Sequence, residues 1–325
     1  MKNYIFFLFI LSVLIFSILV SGCGGNTTEI ILPGRAALYG VEMVDENTAV
    51  AVGAAGTALK TTNGGISWTK YPTGSSSRLN AVHFATAAIG TAVGAGGLIL
   101  RTIDGGNTWI SQTSGKTSEL NGIFMTSGST AVATGNAGLI LRTQDGGTTW
   151  VTISSGSTDN LRSLVFTGTT DGRIATSSQS LLRTTNGGTG WTQQPTGVIN
   201  QFFGVAFSDA STCTAVGSTI VKTTDGGTSW TAQTNPAGAI LLYSLSTLSP
   251  DASVAVGESG TVIRTTNGGA VWNISASNTD FTIRGVSFVD ATTGTAVGDG
   301  GTILRTTNGG VSWTSQTKNT PQPTE

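Results

Sequence analysis

Residues 102–109 read TIDGGNTW, and six further stretches of the chain repeat this phrase with small changes. The other copies are TTNGGISW at 61–68, TQDGGTTW at 143–150, TTNGGTGW at 184–191, TTDGGTSW at 223–230, TTNGGAVW at 265–272 and TTNGGVSW at 306–313. Each copy ends in one of the seven tryptophans of the chain, and successive tryptophans are 41, 41, 41, 39, 42 and 41 residues apart. The chain is therefore built from seven repeats of about 40 residues.

Each repeat also carries three short apolar stretches before the phrase. In the second repeat these are Leu79 to Phe84, Thr91 to Gly94 and Leu98 to Thr102, and Trp109 is expected to open a fourth strand. Four strands in about 40 residues are typical of a propeller blade, whereas helical solenoids of similar period need amphipathic helices that this sequence lacks. The terminal copies are as regular as the middle ones, which favours a closed ring over an open array with capped ends. The sequence predicts an all-β fold: a seven-bladed β-propeller with four antiparallel strands per blade.

The two irregular spacings are predicted to fall in loops. The fifth repeat reaches Lys222 five residues after Gly217, where the other repeats take seven. The sixth repeat carries one extra residue between Trp230 and Leu242. Both changes leave the strands themselves intact.

The overall charge argues against one class of partner. Only 10% of the 325 residues are charged and the formal net charge is −1, so no basic excess is available to neutralise phosphates. We therefore expect no nucleic-acid partner.

The N-terminal residues resemble a secretory signal. Lys2 is followed by an apolar run from Tyr4 to Val20, and the sequence then reads Ser-Gly-Cys, ending at Cys23. Small residues before a cysteine resemble the bacterial lipobox, which predicts lipidation of Cys23, export and membrane attachment. An uncleaved membrane anchor is the alternative, because 17 apolar residues are near the lower limit for a span. Cys213 is the only other cysteine, and we expect it to pack in the core.

These features divide the chain into four parts. Residues 1–22 are predicted to be a lipoprotein signal peptide, 23–34 a linker, 35–317 the propeller and 318–325 a disordered tail. Residues 27–33 are a candidate for an extra strand on the last blade.

The repeated phrase suits a tight turn between the third and fourth strands. Its Asp/Asn-Gly-Gly core supplies residues that tolerate positive φ, and the short polar side chain can bond nearby backbone N–H groups. A calcium site would need several oxygen ligands, whereas each turn offers one, and four of the seven turns carry Asn. We therefore interpret the phrase as a structural fastening and predict no metal or other cofactor.

A cation precedes every copy of the phrase by one residue, and it lies eight residues before the tryptophan. If each cation faces that tryptophan across a hairpin, the pair is suited to a cation–π contact. The alternative is a ring that binds an anion or a protein. The seven residues are Lys60, Arg101, Arg142, Arg183, Lys222, Arg264 and Arg305.

The phrase resembles the Asp-box, or BNR, repeat of sialidases and several other propellers. With Gly-Gly after the Asp/Asn and a basic residue before the Thr, in seven copies, the chain is most similar to the photosystem II assembly and stability factor family. The resemblance extends from Arg35 to Thr317. It implies a non-enzymatic helper that holds a newly made membrane protein through a surface that includes arginines.

A single binding site should use positions that differ between blades yet face one way. The residue after the first apolar residue of each inner strand is such a position, and these residues are predicted to surround the channel mouth opposite the Asp-box turns. Aromatic residues and arginine dominate interface hot spots, so the set is a candidate surface for a protein or glycan, with varied rim packing as the alternative. We call it the mouth ring: Tyr39, Asn80, Asn121, Arg162, Phe203, Tyr243 and Arg284.

An enzyme is the less favoured alternative. A sialidase-like site needs a tyrosine nucleophile beside a glutamate, and outside the signal the tyrosines are Tyr39, Tyr71 and Tyr243, with Glu42 near Tyr39. Propeller glycosidases instead use paired carboxylates, and Glu258 and Asp299 are the pair expected to approach. The other acidic candidates near the mouth are Glu119, Asp159 and Asp280. His83 is the sole histidine and has no predicted metal-binding companion.

Overall fold

The computed structural model describes residues 36–316, and these form seven four-stranded antiparallel sheets. The first four blades comprise β1 Leu38–Met43, β2 Ala49–Gly53, β3 Ala58–Thr61, β4 Thr69–Tyr71; β5 Leu79–Phe84, β6 Gly90–Gly94, β7 Ile99–Thr102, β8 Ile110–Gln112; β9 Leu120–Met125, β10 Ala131–Gly135, β11 Ile140–Thr143, β12 Val151–Ile153; and β13 Leu161–Thr167, β14 Asp171–Thr176, β15 Ser180–Thr184, β16 Thr192–Pro195.

The last three blades continue the same order. They comprise β17 Phe202–Phe207, β18 Cys213–Gly217, β19 Ile220–Thr223, β20 Thr231–Gln233; β21 Leu242–Thr247, β22 Ser253–Gly257, β23 Val262–Thr265, β24 Asn273–Ser275; and β25 Ile283–Phe288, β26 Gly294–Gly298, β27 Ile303–Thr306, β28 Thr314–Ser315. Four single turns of 3₁₀ helix join second to third strands, at Ala54–Gly56, Ala95–Gly97, Glu258–Gly260 and Asp299–Gly301. The predicted all-β, seven-bladed propeller is confirmed.

The first strands of neighbouring blades contact one another around the ring, and β1 contacts β25. The ring therefore closes between the first and last blades. In the described part of the chain, the last blade takes all four strands from its own repeat. The candidate extra strand at 27–33, the signal, Cys23 and the tail 318–325 lie outside the described residues.

The core lies between the blades. The second strands, such as Ala49–Gly53 and Ala131–Gly135, are buried at every residue because each sheet packs against a neighbour on both faces. The outer strands, such as Ile110–Gln112, are largely exposed. Cys213 is buried in this core as predicted, and burial raises the pKa of its thiol to about 12. Across the described residues, no helix is both long and apolar enough to span a membrane.

The Asp-box turns have the predicted geometry. Both glycines of each turn have positive φ, for example 70° at Gly105 and 87° at Gly106. Asp104 Oδ1 accepts hydrogen bonds from the backbone N–H groups of Asn107 and Thr108 at 3.0 and 2.9 Å. The hydroxyl and N–H of Thr108 lead the contacts that lower the pKa of Asp104 to about 2. The two residues that the fifth blade lacks relative to the other blades are missing from the loop between β18 and β19, as predicted.

The predicted stacking of the cations on the tryptophans is wrong. The fourth strand begins one residue after the tryptophan, so that Arg101 pairs with Ile110 and not with Trp109. Opposed residues of an antiparallel pair share a face, and a shift of one residue moves the tryptophan away from the cation. The cation–π contacts of residues 36–316 are made by other arginines.

Most of these cations instead reach the next blade. Arg142 Nε donates to the carbonyl oxygen of Gly187 at 2.8 Å, and Arg264 Nε donates to that of Gly309 at 2.7 Å. Arg183 is different, because it forms an ion pair of 3.0 Å with Asp171 of its own blade. The others bond as follows: Lys60 to Asn107, Arg101 to the Gly128 carbonyl, Lys222 to the Gly268 carbonyl and Arg305 to the Glu46 carbonyl. A partner-binding role for the ring stays a prediction.

Candidate functional site at the channel mouth

The seven first strands surround a channel along the ring axis, with a cavity volume of about 810 Å³. All residues of the mouth ring line this channel, as the sequence placed them: Tyr39, Asn80, Asn121, Arg162, Phe203, Tyr243 and Arg284. Because the mouth ring is at the start of the first strands and the Asp-box turns follow the third strands, the two sets lie at opposite ends of the ring. The placement is confirmed, and partner binding by these residues stays a prediction.

The geometry of the first strand turns these side chains to the channel. Leu38 pairs with Gly53 but Gly40 pairs with Val52, so the register shifts around Tyr39. Leu38 is fully buried between blades, and the next side chain faces the axis. The position after the mouth ring is small because neighbouring strands approach closely there: a Cβ on Gly122 would lie 2.5 Å from the carbonyl oxygen of Arg162.

Arginine and aromatic side chains form a continuous series of contacts around much of the mouth. The guanidinium of Arg162 lies 4.0 Å from the ring centre of Phe203, which packs edge-on against Tyr243 at 5.0 Å. Such contacts contribute roughly 0.5–2 kcal/mol each, depending on desolvation. The series continues with Arg284 over the rings of Tyr243 (5.3 Å) and Tyr39 (5.5 Å), and with Arg78 over Tyr39 (5.2 Å).

Ion pairs hold two of the arginines. Arg284 binds Asp299 through two guanidinium nitrogens, Nε to Oδ1 at 2.7 Å and Nη2 to Oδ2 at 2.8 Å, and these hydrogen bonds raise the pKa of Arg284. Arg78 pairs with Glu119 of the next blade, which also accepts a hydrogen bond from Asn80 at 2.8 Å. Arg78 was not among the predicted site residues, because it immediately precedes β5, two positions before the mouth-ring residue Asn80.

The acidic candidates for catalysis are engaged in separate contacts. Glu258 accepts hydrogen bonds from the hydroxyl of Tyr243 at 3.2 Å and from the N–H of Leu241 at 3.3 Å, whereas Asp299 binds Arg284. Burial and the neighbouring Glu258 raise the pKa of Tyr243, which opposes its ionisation as a nucleophile. These contacts leave the approach of Glu258 and Asp299 as a catalytic pair a prediction, and the tyrosine beside a glutamate is Tyr243.

Other candidates from the sequence lie away from this arrangement. Tyr71 is on the outer strand β4. Asp159 accepts hydrogen bonds from the hydroxyls of Ser157 and Ser178, both at 2.8 Å. Within the described range, no cluster of three His, Cys, Asp or Glu side chains could hold a metal ion.

Deeper in the channel, Glu42 and His83 occupy equivalent positions of adjacent blades. His83 Nδ1 accepts a hydrogen bond from the N–H of Met125 at 3.2 Å, and its ring packs against Phe124 at 4.1 Å. Burial lowers the pKa of His83 to about 4. Burial also raises the pKa of Glu42 to about 8, and its carboxyl group has no hydrogen-bond partner in the described residues. At neutral pH both side chains are uncharged.

Comparisons with solved structures confirm the architecture. The structure described as "YCF48 bound to D1 peptide" superposes with a TM-score of 0.73 at 21% identity, covering 85% of this chain and 95% of that one. YCF48 from Cyanidioschyzon merolae gives 0.71 at 17% identity, covering 86% and 97%. A GH74 xyloglucanase from Xanthomonas campestris gives 0.70 at 15% identity, covering 88% of this chain and 55% of the enzyme. At these identities the matches show the fold alone.

The sequence itself identifies the family. No curated protein matches the chain. The family model described as photosynthesis system II assembly factor YCF48 matches residues 26–150 and 73–200, which together cover more than half of the sequence. The chain therefore belongs to the YCF48 family of photosystem II assembly factor propellers.

Proposed function

We propose that this chain is a non-catalytic binding propeller that holds a protein partner at the channel mouth while a membrane complex is assembled. The observation that carries the proposal is the series of arginine and aromatic side chains that differs from blade to blade around one cavity. Membership of the YCF48 family supports it, as does the related propeller described as bound to a D1 peptide.

The distribution of residue types supports a single site at this end. Positions shared by the blades, such as the glycines and tryptophans of the turns, recur seven times and serve the ring. The mouth ring instead contains two arginines, two tyrosines, a phenylalanine and two asparagines, so it presents one asymmetric surface. Arginine and tyrosine are enriched at interface hot spots because they combine apolar area with hydrogen bonding.

Attachment to a membrane is the second part of the proposal. The apolar run up to Val20 and the Ser-Gly-Cys sequence ending at Cys23 suit an exported lipoprotein held at a membrane surface. A lipid on Cys23 would place the propeller beside a membrane-protein client. Metabolic labelling with a fatty acid tests this, with Cys23→Ala expected to lose the label.

A pull-down from native membranes tests the binding function. The full chain is compared with a variant carrying Arg162→Gln, Arg284→Gln, Tyr39→Ala and Tyr243→Ala. We expect a specific membrane protein to be retained by the wild type and to be lost, by at least tenfold, from the variant. Each hot-spot replacement typically costs about 1 kcal/mol or more, so four together suffice for that loss.

A control variant changes an exposed charge away from the mouth, Lys70→Gln on the outer strand β4. Its retention of the same protein should equal that of the wild type. Equal retention by the mouth variant, with unchanged melting, would reject the mouth as the binding surface.

A glycan-binding or glycosidase role is the second candidate. The hydrogen bond between Tyr243 and Glu258 beside Arg284 favours it, since a tyrosine next to a glutamate among arginines is the arrangement that a sialidase-like site requires. Retention of polysaccharide alone in the pull-down would bring this candidate forward. Glu258→Gln and Asp299→Asn would then distinguish hydrolysis, which these changes should abolish, from simple binding.

A further inference from the structure

The three arginines at the mouth differ in how their charge is balanced. Arg284 is held by Asp299 and Arg78 by Glu119. In the described part of the chain, Arg162 has no carboxylate partner, and its hydrogen-bond contact is with Gln201 Oε1 at 3.5 Å. Its Nε is buried and has no hydrogen-bond partner there. Nε of Arg78 is likewise buried and unbonded, so what sets Arg162 apart among the three is that no carboxylate of the described residues balances its charge.

Comparison of two blades explains why Arg162 is unpaired. Ile283 pairs with Gly298, and the next residue, Asp299, binds Arg284. In the fourth blade Leu161 pairs with Thr176, and the next residue is Ser177. Serine therefore stands where the seventh blade has its acid. The Ser177 hydroxyl accepts a hydrogen bond from the N–H of Asn160 at 3.0 Å and supplies no negative charge.

The neighbouring groups leave the edge of Arg162 without a counter-ion. Phe203 stacks on its face at 4.0 Å, which orients the planar guanidinium. Two of the acidic candidates expected near the mouth are engaged by other groups: Asp159 by the serine hydroxyls and Glu258 by Tyr243. Burial also lowers the pKa of Arg162, which reflects a charged form that is poorly compensated in the free protein.

We propose that Arg162 binds a carboxylate group of the protein partner in the position that Asp299 occupies for Arg284. The inference rests on the proposed function and names the chemistry that the partner must present. A guanidinium matches a carboxylate through two parallel hydrogen bonds, which are stronger than those between neutral groups. An Asp or Glu side chain and a free chain terminus share this chemistry, and the test separates them.

The test uses the full-length chain in detergent micelles, with ¹⁵N-labelled arginine and detection of the Nε–H signals. Three probes are titrated: acetyl-trialanine with a free carboxylate, acetyl-Ala-Glu-Ala amide and acetyl-trialanine amide. We expect a saturable shift of the Arg162 signal with one or both carboxylate peptides, and an affinity for the neutral amide at least tenfold weaker. The tighter of the two carboxylate peptides identifies the source. An equal response to the neutral amide, or an equal response of Arg284 and Arg78, would overturn the inference.

The variant Ser177→Asp supplies the missing acid from within the chain. We expect it to weaken carboxylate binding at least tenfold and to shift the Arg162 signal towards that of Arg284. Ala95→Asp is the matched control, because Ala95 occupies the same turn position in the second blade, and it should leave binding unchanged. Unchanged binding by folded S177D would contradict the inference.

Peptide methyl signals under saturation transfer give a readout for variants that remove the arginine. Arg162→Gln should abolish the transfer to each carboxylate peptide that binds the wild type, so this variant decides the question if S177D does not fold. These titrations use no cellular partner and can fail independently of the pull-down. A partner lost from the mouth variant without any carboxylate response at Arg162 would reject the inference and keep the proposed function. A carboxylate response at Arg162, with no partner retained in the pull-down, would support the inference and reject the proposed function.

Discussion

Two kinds of junction join the seven blades, although every blade carries the same Asp-box turn. At the phenylalanine junctions, between blades 1 and 2, 3 and 4, and 6 and 7, a valine of one blade meets a phenylalanine and a tryptophan of the next. In the second of these, Val132, Phe166 and Trp191 close around Gly188. Phe166 and Trp191 pack edge to face at 6.0 Å. The others are Val50 with Phe84 and Trp109, and Val254 with Phe288 and Trp313.

At the glutamine junctions, the side-chain amide of a glutamine fills the space next to the second glycine of the turn, where the phenylalanine junctions have valine and phenylalanine. Gln112 lies against Gly147, accepts a hydrogen bond from Trp150 Nε1 at 3.2 Å and donates one to the carbonyl oxygen of Gly146 at 2.7 Å. The other glutamines in this position are Gln194, Gln233 and Gln316 against Gly227, Gly269 and Gly65. The last of them closes the ring between blades 7 and 1.

The difference between the two junction types shows that residues packed against one another at a junction must be replaced together. A Cβ on Gly172 would lie 2.8 Å from the ring of Phe166, so this ring, in the orientation it has at a phenylalanine junction, requires glycine opposite it. The glutamine junction between blades 2 and 3 instead combines Met125 with Ala131. The backbone geometry of the turn is constant, whereas the contents of the space above its second glycine are interchangeable.

Removal of the ring from a phenylalanine junction should have the largest effect. Phe166→Ala leaves a cavity between blades 3 and 4, and we expect a loss of about 3–5 kcal/mol in the free energy of unfolding. Urea denaturation measures it. Phe281→Ala is the control, because Phe281 is 55% exposed and should change stability by less than about 0.5 kcal/mol. Similar losses for the two variants would contradict the packing account.

Replacing the residues of a phenylalanine junction by those of a glutamine junction should show that positions 166 and 172 are energetically coupled. Gly172→Ala alone crowds the Phe166 ring and should cost about 1–3 kcal/mol. The double variant Phe166→Met, Gly172→Ala reproduces the Met125 and Ala131 combination and should be more stable than the sum of its single changes by at least about 1 kcal/mol. A double-mutant cycle by urea denaturation measures the coupling. Strict additivity would show that the two positions are independent.

The number of blades and the position of the mouth ring could be predicted from the sequence because both depend on a period that is visible in it. The expected position of Trp109 opposite Arg101 was off by one residue, since that pairing would centre the hairpin on Gly105, whereas the observed pairing of Arg101 with Ile110 centres it between Gly105 and Gly106. The ion pair of Arg78 with Glu119 joins two blades across 41 residues. No local pattern predicts such a contact, because it depends on how adjacent first strands face each other.

Glu42 and His83, which line the channel, should make the stability of the fold depend on pH. The folded chain retains the Glu42 proton up to a pKa of about 8 against 4.5 normally, so its contribution to stability falls as pH rises through that window. His83, with its pKa lowered from 6.5 to about 4, has the opposite effect between those values. The two slopes cancel between pH 4.5 and 6.5. Above pH 6.5, Glu42 alone lowers the stability, by at most about 2 kcal/mol at pH 8, since water in the channel reduces the shift.

Melting curves from pH 4.5 to 8.5 measure this effect. Glu42→Gln should remove the decline above pH 6.5, and His83→Gln should extend the decline down to about pH 4.5. The Asp-box carboxylates, such as Asp104 with its pKa near 2, titrate below this range. A wild-type profile that is flat from pH 6.5 to 8 would show that Glu42 ionises without cost in the channel.

The smallest expected effect is the loss of the hydrogen bonds at a glutamine junction. Gln112→Ala leaves Trp150 Nε1 without its acceptor and the carbonyl oxygen of Gly146 without one donor, which should cost about 1 kcal/mol at this half-buried site. Gln112→Met fills the same space without restoring either bond, so the two variants separate packing from hydrogen bonding when measured by urea denaturation. We expect Met to recover less than half of the loss. Full recovery by Met would mean that the glutamine junctions, like the phenylalanine junctions, are held by packing alone.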